Sequence, residues 1–464
     1  MRAHPAGPRH ADVLPHDPIY APPADLARLE PAIWPQGAAR NADGELTLAG
    51  TAISQLVDTH STPLVVLDEQ DFRDRARDYA QAFDGADVFY AGKAFLCKAV
   101  ARWVAQEGLH LDVCTGGELA VALAAGFDPS RLALHGNNKS VAELRQALEV
   151  GVGRIVIDSM NELDRLDALC AEMGVTAHVL IRITVGVEAH THEFIATAHE
   201  DQKFGFSLAN GAADAAIARA VNSAHLHLLG VHSHIGSQIF DTAGFEVSAH
   251  RMVQLLAQVA KDHQIELEEL DLGGGLGIAY VAGDKPAQVR DIAESLRLIV
   301  RRECELAGIA VPRLSVEPGR ALIGPAGVTL YEVGTVKPVE LGNGMTRTYV
   351  SVDGGISDNI RTALYDADYT CIVANRVSQA PAVLSRVVGK HCESGDVVVK
   401  DVWLPGDVRP GDVLAVAATG AYCRSMASNY NHVPRPAVVA IKDGHSQVVV
   451  RRETLDDLLR LDVG

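Results

Sequence analysis

Eight short apolar runs dominate the chain between residues 87 and 316, and most of them are followed by polar or glycine-rich residues. The runs are Asp87–Tyr90, Leu109–Val113, Leu132–His135, Arg154–Ile157, Ala177–Ile183, Leu228–His232, Leu267–Leu272 and Arg313–Val316. The stretches between them are long enough for helices, which we predict at Ala99–Glu107, Gly117–Ala125, Val141–Val150 and Asn161–Met173. Strands that alternate with helices are typical of parallel βα units, and eight such units can close into a barrel whose catalytic groups gather at the carboxyl ends of the strands.

The pattern differs on either side of these runs. Residues 45–67 predict a strand, a short helix and a second strand, and helical spacers almost disappear after Arg320. The short alternating runs there are Leu330–Val336, Arg347–Val352, Ala382–Val388, Val397–Val402, Val413–Ala418 and Ala437–Val450. Asp443 and Gly444 predict a hairpin turn, and residues 455–461 a short closing helix.

The length agrees with two domains. A chain of 464 residues exceeds one barrel of about 250 residues and leaves a second domain to be built. The predicted fold class is α/β, a (β/α)8 TIM-like barrel plus a mainly antiparallel β-barrel or sandwich domain. The predicted divisions are a flexible N-terminal arm at 1–24, an N-terminal part of the β domain at 25–62, the barrel at 63–325 and the C-terminal β domain at 326–464.

Charge and cysteine content exclude several classes of protein. A formal net charge of −18 argues against a nucleic-acid or anionic membrane surface, so the expected partners are small molecules and other copies of the chain. The seven cysteines are scattered and form no CxxC pair, which disfavours a disulfide framework and structural zinc. No apolar run approaches a membrane span and the first 24 residues carry no apolar leader, so we expect a cytoplasmic protein.

Lys93 is the first candidate for chemistry. It stands in the string FYAGKA, just after the first predicted strand. Its apolar neighbours would partly desolvate an ammonium group, lower its pKa and free the amine to form a Schiff base. The alternative is an ordinary solvated lysine.

Two further strand ends carry suitable groups. The string DLGGGLG (271–277) follows the seventh run, and backbone amides of such a glycine cluster can close around phosphate, although the cluster can also be only a tight turn. The string EPGRA (317–321) follows the eighth run. Glu317 could keep the ring nitrogen of a heterocycle protonated, as an electron sink requires; the alternative is a salt bridge between Glu317 and Arg320 that caps the barrel.

The sixth run leads into VHSHIGSQ (231–238). His234 can stack on a flat ring, and the Ser237 hydroxyl can bind an anion. Two HxH pairs, here and at His190 with His192, also suggest a metal, but no carboxylate with ligand-like spacing accompanies them, so we predict no metal. The candidate groups together favour a phosphorylated aromatic aldehyde held by a lysine, and pyridoxal 5'-phosphate is the obvious candidate.

From about Glu45 onward the chain resembles the diaminopimelate decarboxylase family, within the alanine-racemase-type (fold type III) pyridoxal-phosphate decarboxylases. The matching strings are FYAGKA (89–94), DVCTGGE (112–118), HGNNK (135–139), VGVEAHTHE (185–193), KFGFS (203–207), HSHIGSQ (232–238), LGGGLG (272–277), EPGRA (317–321), SDNIRTALYDA (357–367), HCESGD (391–396) and GAYCRSMASNYN (420–431). So many matches in one order are not coincidental.

The resemblance implies decarboxylation of meso-2,6-diaminopimelate to L-lysine and CO2, the last step of lysine biosynthesis. It implies that Lys93 forms the aldimine with pyridoxal 5'-phosphate and that Cys392 is the proton donor. The other cofactor contacts it implies are His234, Ser237, Gly275, Gly277, Glu317, Pro318, Gly319, Arg320 and Tyr422. The substrate contacts it implies are Arg320, Arg361, Tyr365, Glu393 and Tyr422. It further implies an obligate homodimer with shared active sites, in which Cys392 and Glu393 reach the site of the partner protomer.

This substrate has an amino-carboxylate at each end, so the far end must be held while the near carboxylate leaves. Arg320 and Arg361 suit the distal carboxylate, since each charged hydrogen bond contributes roughly 1.5 to 3 kcal/mol, and Glu393 suits the distal ammonium. An enzyme acting on ornithine, arginine or a carboxylated polyamine is the nearest rival. A non-catalytic relative and a pyridoxal-phosphate carrier protein are more distant alternatives.

Some positions depart from the family pattern or have no assigned role. Thr362 stands where some members have proline, Ile356 where some have methionine, and Tyr369 replaces a histidine found in many relatives, so the outer pocket is open to question. Asp112 and Arg182 could contact the cofactor or lysine, or serve only the barrel. The segment 186–203, which contains three histidines, could be a mobile lid or a disordered loop.

Overall fold

The computed structural model shows two compact units, here called the barrel domain and the β domain. The barrel domain comprises Arg73–Ile278 and Lys285–Leu322. The β domain lies within Met1–Phe72, Ala279–Asp284 and Ile323–Gly464. The residues that the structure describes are 21–186, 203–342 and 345–464. Most of the expected N-terminal arm and of the expected lid lies outside the described residues.

Eight parallel strands form the closed barrel, which confirms the predicted fold class. In chain order they are Asp87–Ala91, His110–Val113, Leu132–Leu134, Arg154–Ile157, Ala177–Thr184, Leu226–His232, Glu269–Asp271 and Arg313–Val316. The eighth strand pairs with the first, through Ser315 with Asp87 and Val316 with Val88, and this pairing closes the ring. A two-residue strand, Phe206–Ser207, adds to the edge of Ala177–Thr184.

Helices connect these strands and confirm the predicted alternation. Those of the barrel domain are Lys98–Gln106, Gly116–Ala124, Val141–Val150, Met160–Met173, Ala212–Val221, Ala243–His263, Val289–Ala307 and the short Arg320–Ile323; Glu69–Ala82 precedes the first barrel strand. Val141–Val150 shows why such segments are helical. Ser140 and Glu143 form a reciprocal capping box at its start, and Gly151 ends it with a left-handed φ of 74°.

A buried ion cluster lies at the amino ends of the barrel strands. Glu269 is fully buried and accepts hydrogen bonds from Arg154 Nε at 2.8 Å, Arg313 Nη2 at 2.7 Å and Ser315 Oγ at 2.8 Å. Groups at this end of a TIM-type barrel serve stability, since the chemistry of such barrels is found at the opposite end. The members of this cluster come from strands far apart in the chain, so no local sequence pattern predicts it.

The β domain is mainly antiparallel, as predicted. Its main sheet has the strand order Val397–Pro405, Ala382–Val388, Met345–Val352, Gly327–Gly342, Leu64–Asp68, Ala437–Lys442 and His445–Val450. Gly327–Gly342 also pairs with Val413–Ala417, which in turn pairs with Cys371–Val373. A separate small sheet contains Ala38–Arg40, Leu46–Leu48 and Thr51–Ala52. The domain's remaining helices are Ile53–His60, Arg361–Tyr365 and Leu455–Leu459.

One strand of this sheet differs from the predicted division of the chain, and one turn agrees with the prediction. Leu64–Asp68 lies within the range expected for the barrel, yet it pairs antiparallel with Gly327–Gly342 and parallel with Ala437–Lys442. The hairpin predicted at Asp443 and Gly444 is confirmed, with φ values of 51° and 76° that suit a tight two-residue turn. None of the helices in the described parts of the chain has the length and apolar character needed to cross a bilayer.

Candidate active site

Lys93 lies directly after the first barrel strand, in a single 3-10 turn at Gly92–Ala94. The side chains that flank it, among them Tyr90 and Phe95, are buried, but Lys93 itself is exposed. The partial desolvation expected of this lysine stays a prediction. Gly92 allows the turn, because a Cβ there would lie 2.8 Å from the carbonyl oxygen of Asp112 on the second strand.

Glu317 ends the eighth strand and lies between two histidines from other strand ends. His135 Nε2 is 2.9 Å from its Oε1, and His232 Nε2 is 3.3 Å from its Oε2. The carboxyl side chain is only 4 % exposed. Burial by itself raises the pKa of Glu317, but the nearby His135 and His232 outweigh that effect and hold the pKa well below its usual range. Glu317 is thus a buried carboxylate that stays ionised.

The pKa values of the two histidines shift in opposite directions. Burial lowers the pKa of His232 to about 4, so this imidazole is neutral near pH 7. Burial also opposes the charging of His135, but Asp112 and Glu317 outweigh it and raise the pKa of His135. Burial raises the pKa of Asp112 to about 6. Sequence reasoning did not bring His135 and His232 together with Glu317, although both histidines stand at the ends of predicted strands, and that position was the available signal.

The glycine loop after the seventh strand joins this cluster to His234. Gly273 donates its N–H to Asp271 Oδ1 at 2.7 Å and accepts the N–H of Glu317 at 2.9 Å. Gly274 donates its N–H to His234 Nδ1 at 3.3 Å, which leaves the other ring nitrogen of His234 to carry the proton. Backbone bonds of one loop therefore orient both His234 and Glu317.

The same loop packs against the HIGS turn to form a narrow backbone cradle. A Cβ at Gly275 would lie 2.3 Å from the carbonyl oxygen of Gly236, so a side chain cannot be accommodated there. Gly277 is similarly close to Phe240, where a Cβ would lie 3.0 Å from the ring. Arg320 Nη2 donates to Ser237 Oγ at 2.9 Å.

The EPGR turn connects this cradle to the strand that carries Lys93. The N–H of Ala91 donates to the carbonyl oxygen of Pro318 at 3.2 Å, and a Cβ at Gly319 would lie 2.9 Å from the Cβ of Ala91. Glu317 contacts the two histidines, and Arg320 donates to Ser237, so the alternative of a simple Glu317–Arg320 cap does not describe this turn.

These residues fit pyridoxal phosphate. Glu317 Oε1 is buried and, despite the nearby His135, has no hydrogen bond of acceptable geometry, so it can accept one from a ring nitrogen. The glycine cradle beside Ser237 and Arg320 offers backbone and side-chain donors to a phosphate. The ligand atoms of His135, His232 and Glu317 also lie within 4.8 Å of one another, a spacing that could hold a metal ion. Their mutual ion pairing accounts for that spacing without one.

In the β domain, Arg361 opens the helix Arg361–Tyr365 and is 6 % exposed. Its Nη1 donates to the Tyr369 hydroxyl at 2.5 Å. Among the described residues, no carboxylate forms an ion pair with Arg361. Tyr365, at the other end of the helix, is half-buried, while Thr362 is buried and bonds the carbonyl oxygen of Val398 at 2.8 Å. Arg361 is therefore a buried cation available to an anion.

Cys392 and Glu393 are exposed on the turn between strands Ala382–Val388 and Val397–Pro405. The buried Asp396 fixes this turn, because its carboxylate accepts the N–H of Ile356 at 2.7 Å. Further bonds tie the SDNIR, HCESGD and GAYC strings together: Asp396 also accepts the N–H of His391, His391 Nε2 lies 2.8 Å from Ser357 Oγ, and Ser428 donates its N–H to the carbonyl oxygen of Ser357.

Tyr422 adopts a left-handed backbone, with φ of 61°, between the buried Ala421 and Cys423. Such a conformation is uncommon for a bulky residue and is often found at functional sites.

The predicted site residues are divided between the two domains. The barrel domain carries Lys93, His234, Ser237, Gly275, Gly277, Glu317, Pro318, Gly319 and Arg320, and the β domain carries Arg361, Tyr365, Cys392, Glu393 and Tyr422.

The two unassigned residues of the barrel have polar partners. Arg182 is buried, with Nη1 3.8 Å from Asp158 Oδ2 and its guanidinium 4.3 Å from the centre of the Phe204 ring. Asp112 lies 3.8 Å from His135 Nε2. Asp112 and Arg182 therefore both belong to the electrostatic surroundings of Glu317.

Comparison with known proteins agrees with this geometry. Residues 69–324 match the family model of the pyridoxal-dependent decarboxylase, pyridoxal binding domain. The chain is 55% identical to the diaminopimelate decarboxylase of Mycobacterium leprae over the whole of both chains. It is 57% identical to that of Mycobacterium tuberculosis, over 95% of this chain and 99% of the relative. A crystal structure of diaminopimelate decarboxylase from M. jannaschii in complex with L-lysine has a TM-score of 0.86 and 31% identity, covering 93% of this chain and 98% of that one.

Proposed function

The chain belongs to the diaminopimelate decarboxylase family of pyridoxal-dependent decarboxylases, and from that premise we propose how its own residues carry out the reaction. The substrate is meso-2,6-diaminopimelate and the products are L-lysine and CO2. The reaction is the last step of lysine biosynthesis. The observation that carries the proposal is the buried anionic Glu317, bracketed by two histidines in a barrel that has a lysine at a neighbouring strand end.

Within the barrel domain, each group has a distinct task. When bound, pyridoxal 5'-phosphate supplies an electron sink for the electron pair that the departing carboxylate leaves behind. Lys93 offers the amine for covalent attachment, and its exposure keeps that amine accessible. Glu317 would accept a hydrogen bond from the ring nitrogen and favour its protonated form. His234 would contact the cofactor ring.

The phosphate is held by the backbone cradle and the groups beside it. Gly275 and Gly277 leave room for close approach to backbone amides, and Ser237 and Arg320 supply a hydroxyl and a permanent positive charge. Pro318 and Gly319 complete the turn, and Tyr422 of the β domain is the further phosphate and substrate contact in this proposal. An arginine in this position is a stronger anchor than a lysine because its planar fork can bind two oxygens at once.

The substrate's distal end is recognised by charge. Arg361 is buried without a carboxylate partner among the described residues, which leaves its charge for a ligand carboxylate. Arg320 assists it, Tyr365 adds a hydroxyl, and Glu393 takes the distal ammonium. A decarboxylase for ornithine would bury these arginines without any second carboxylate to neutralise them, which is unfavourable.

Cys392 donates the proton that replaces the lost carboxylate, and it does so across a homodimer in which Cys392 and Glu393 serve the partner's site. The exposure of both residues on a rigidly held turn supports this part of the proposal. Mixing a Lys93→Ala protomer with a Cys392→Ala protomer tests it. Heterodimers should regain part of the wild-type rate because one of their two sites is intact, whereas a mixture that stays inactive would contradict shared sites.

The direct test of the function is to incubate the purified protein, pyridoxal phosphate and meso-diaminopimelate and to measure CO2 and L-lysine together. Equal amounts of the two products are expected, with no comparable release of CO2 from ornithine or arginine. Turnover of ornithine but not of diaminopimelate would decide for the rival substrate. The cytoplasmic location expected from the sequence remains part of this proposal, and fractionation of cells tests it.

A further inference from the structure

We propose that Tyr280 and Tyr369 act as an aromatic clamp that positions Arg361 and thereby sets the affinity of the enzyme for ligands with a distal carboxylate. The proposal deepens the assignment of Arg361 and rests on the proposed function. Neither tyrosine is assigned a contact with the reacting atoms, so both are positioning residues. Their effect should appear in ligand binding more than in the rate of the chemical step.

The rings of Tyr280 and Tyr369 both lie close to the guanidinium of Arg361. The guanidinium carbon of Arg361 is 4.9 Å from the ring centre of Tyr280 and 5.7 Å from that of Tyr369. The two rings meet edge to face, with centres 5.2 Å apart and planes at 83°. All three side chains are buried, at 6 % exposure or less. Both distances fall within the range in which a cation is attracted to an aromatic ring.

A hydrogen bond fixes the rotation of the guanidinium. Arg361 Nη1 donates to the Tyr369 hydroxyl at 2.5 Å, so that hydroxyl keeps its own proton to donate. Cys423 Sγ lies 3.5 Å from the same oxygen. Tyr369 therefore connects Arg361 to Cys423 of the GAYC turn. The residue directly before Cys423 is Tyr422, which has the left-handed backbone.

The clamp leaves the charge of Arg361 unneutralised while it restricts the side chain. Neutral rings and a hydroxyl hold the guanidinium, whereas a carboxylate would have consumed its charge, and no described carboxylate forms an ion pair with it. A guanidinium has five N–H donors, and the hydrogen bond to Tyr369 uses only one of them. An arginine whose orientation is fixed before binding loses less conformational entropy when a carboxylate arrives. The expected consequence is tighter binding of ligands that carry a distal carboxylate.

Two ligands separate this effect from general damage. L-lysine has a carboxylate for Arg361 to bind, and cadaverine is the same diamine skeleton without it. Dissociation constants of both, measured by calorimetry on the holoenzyme, do not depend on turnover. Tyr369→Phe removes the hydrogen-bond acceptor, and Tyr280→Leu removes an aromatic ring. Each variant should bind L-lysine about tenfold more weakly, which is the effect of one charge-assisted hydrogen bond. Cadaverine binding should stay within twofold of wild type. Tyr280→Phe keeps the ring and should bind both ligands like wild type.

A kinetic readout completes the test. With meso-diaminopimelate the two disruptive variants should show a raised KM with kcat within about twofold of wild type. Tyr79→Phe, a buried tyrosine of a barrel helix that stacks on Phe83, is the matched control and should change neither ligand's binding. Unchanged L-lysine binding in both Tyr369→Phe and Tyr280→Leu, or an equal loss for cadaverine, would overturn the clamp. A wild-type enzyme that binds L-lysine but does not decarboxylate diaminopimelate would instead overturn the proposed function.

Discussion

His232 gives the most direct test of the electrostatic arrangement around Glu317. The side chain is 1 % exposed, and its Nε2 lies 3.3 Å from Glu317 Oε2. Burial lowers the pKa of His232 to about 4, and the attraction of Glu317 offsets this only in part. The folded protein therefore favours the neutral imidazole, whereas an unfolded chain titrates near the ordinary value of 6.5.

The size of this effect follows from the two pKa values. A shift of the pKa from 6.5 to about 4 corresponds to about 3.4 kcal/mol of folding free energy at low pH, at about 1.36 kcal/mol for each pKa unit. Because the folded pKa is depressed, the stability is present above pH 6.5 and is lost as the pH falls toward 4. Linkage gives a loss of about 2 kcal/mol between pH 7.5 and pH 5. Asp112, whose pKa burial raises to about 6, works in the opposite sense over the same range.

A comparison of wild type with His232→Gln isolates the histidine, because both proteins keep Asp112. Urea unfolding of the cofactor-free protein at pH 7.5 and pH 5 should show that wild type loses about 2 kcal/mol more than the variant. His178→Gln, which removes an exposed histidine from another barrel strand, should behave like wild type. Carbon-13 spectra of histidine-labelled protein should place the His232 titration near 4. A titration at or above 6.5, or parallel acid losses in wild type and His232→Gln, would refute the reasoning.

The remaining predictions concern the reaction and the barrel. Lys93→Ala should abolish turnover and the visible absorption band of the bound cofactor; retained decarboxylation would contradict its role. Cys392→Ala should lower kcat far more than it raises KM, and an intact kcat in steady-state assays would remove it as the proton donor. Arg361→Lys should raise KM for meso-diaminopimelate by about tenfold or more, since a bidentate contact is lost, and an unchanged KM would count against it. Glu162→Gln should lower the free energy of unfolding in urea by roughly 3 to 5 kcal/mol, because Lys139, 1 % exposed and 2.6 Å from Glu162, would remain as an unpaired buried cation. The double variant Lys139→Met with Glu162→Leu should recover most of the lost stability. A Glu162→Gln variant as stable as wild type would refute this prediction.

Local patterns were sufficient to predict the barrel. The eight apolar runs recur at βα spacing, and the structure has a strand at each of them, with bounds that differ by up to two residues at either end. Capping residues such as Ser140 mark the helix starts within the sequence itself. Periodicity is a property of neighbouring residues, so it can be read without knowing the tertiary structure.

Pairings between distant strands could not be predicted in this way. Leu64–Asp68 has the fully buried pattern of a barrel strand, and only its partners, Gly327–Gly342 and Ala437–Lys442, assign it to the β sheet. The parallel pairing of Met345–Val352 with Ala382–Val388 was missed for the same reason. A run that is buried on both faces carries no signal that distinguishes a central strand of one sheet from that of another.

The candidate site shows the same limit. Motifs identified Lys93 and Glu317, because a lysine or an acid at a strand end is informative by itself. The pairing of Glu317 with His135 and His232 depends on strands that lie far apart in sequence, so no local pattern could reveal it. The apolar neighbours of Lys93 are buried, while the turn at Gly92–Ala94 leaves Lys93 itself exposed, and the neighbours alone could not reveal this difference.

The contact of Glu317 with two histidines, and not with an arginine, has a physical consequence. An arginine would bind both carboxylate oxygens through its fork and leave neither for a ligand. His135 and His232 each approach one oxygen, and Oε1 retains no hydrogen bond of acceptable geometry. A buried acceptor in that condition is unfavourable by about 1 to 3 kcal/mol until a donor arrives. The histidines thus keep the carboxylate ionised without saturating it, which is the state that a protonated ring nitrogen would require.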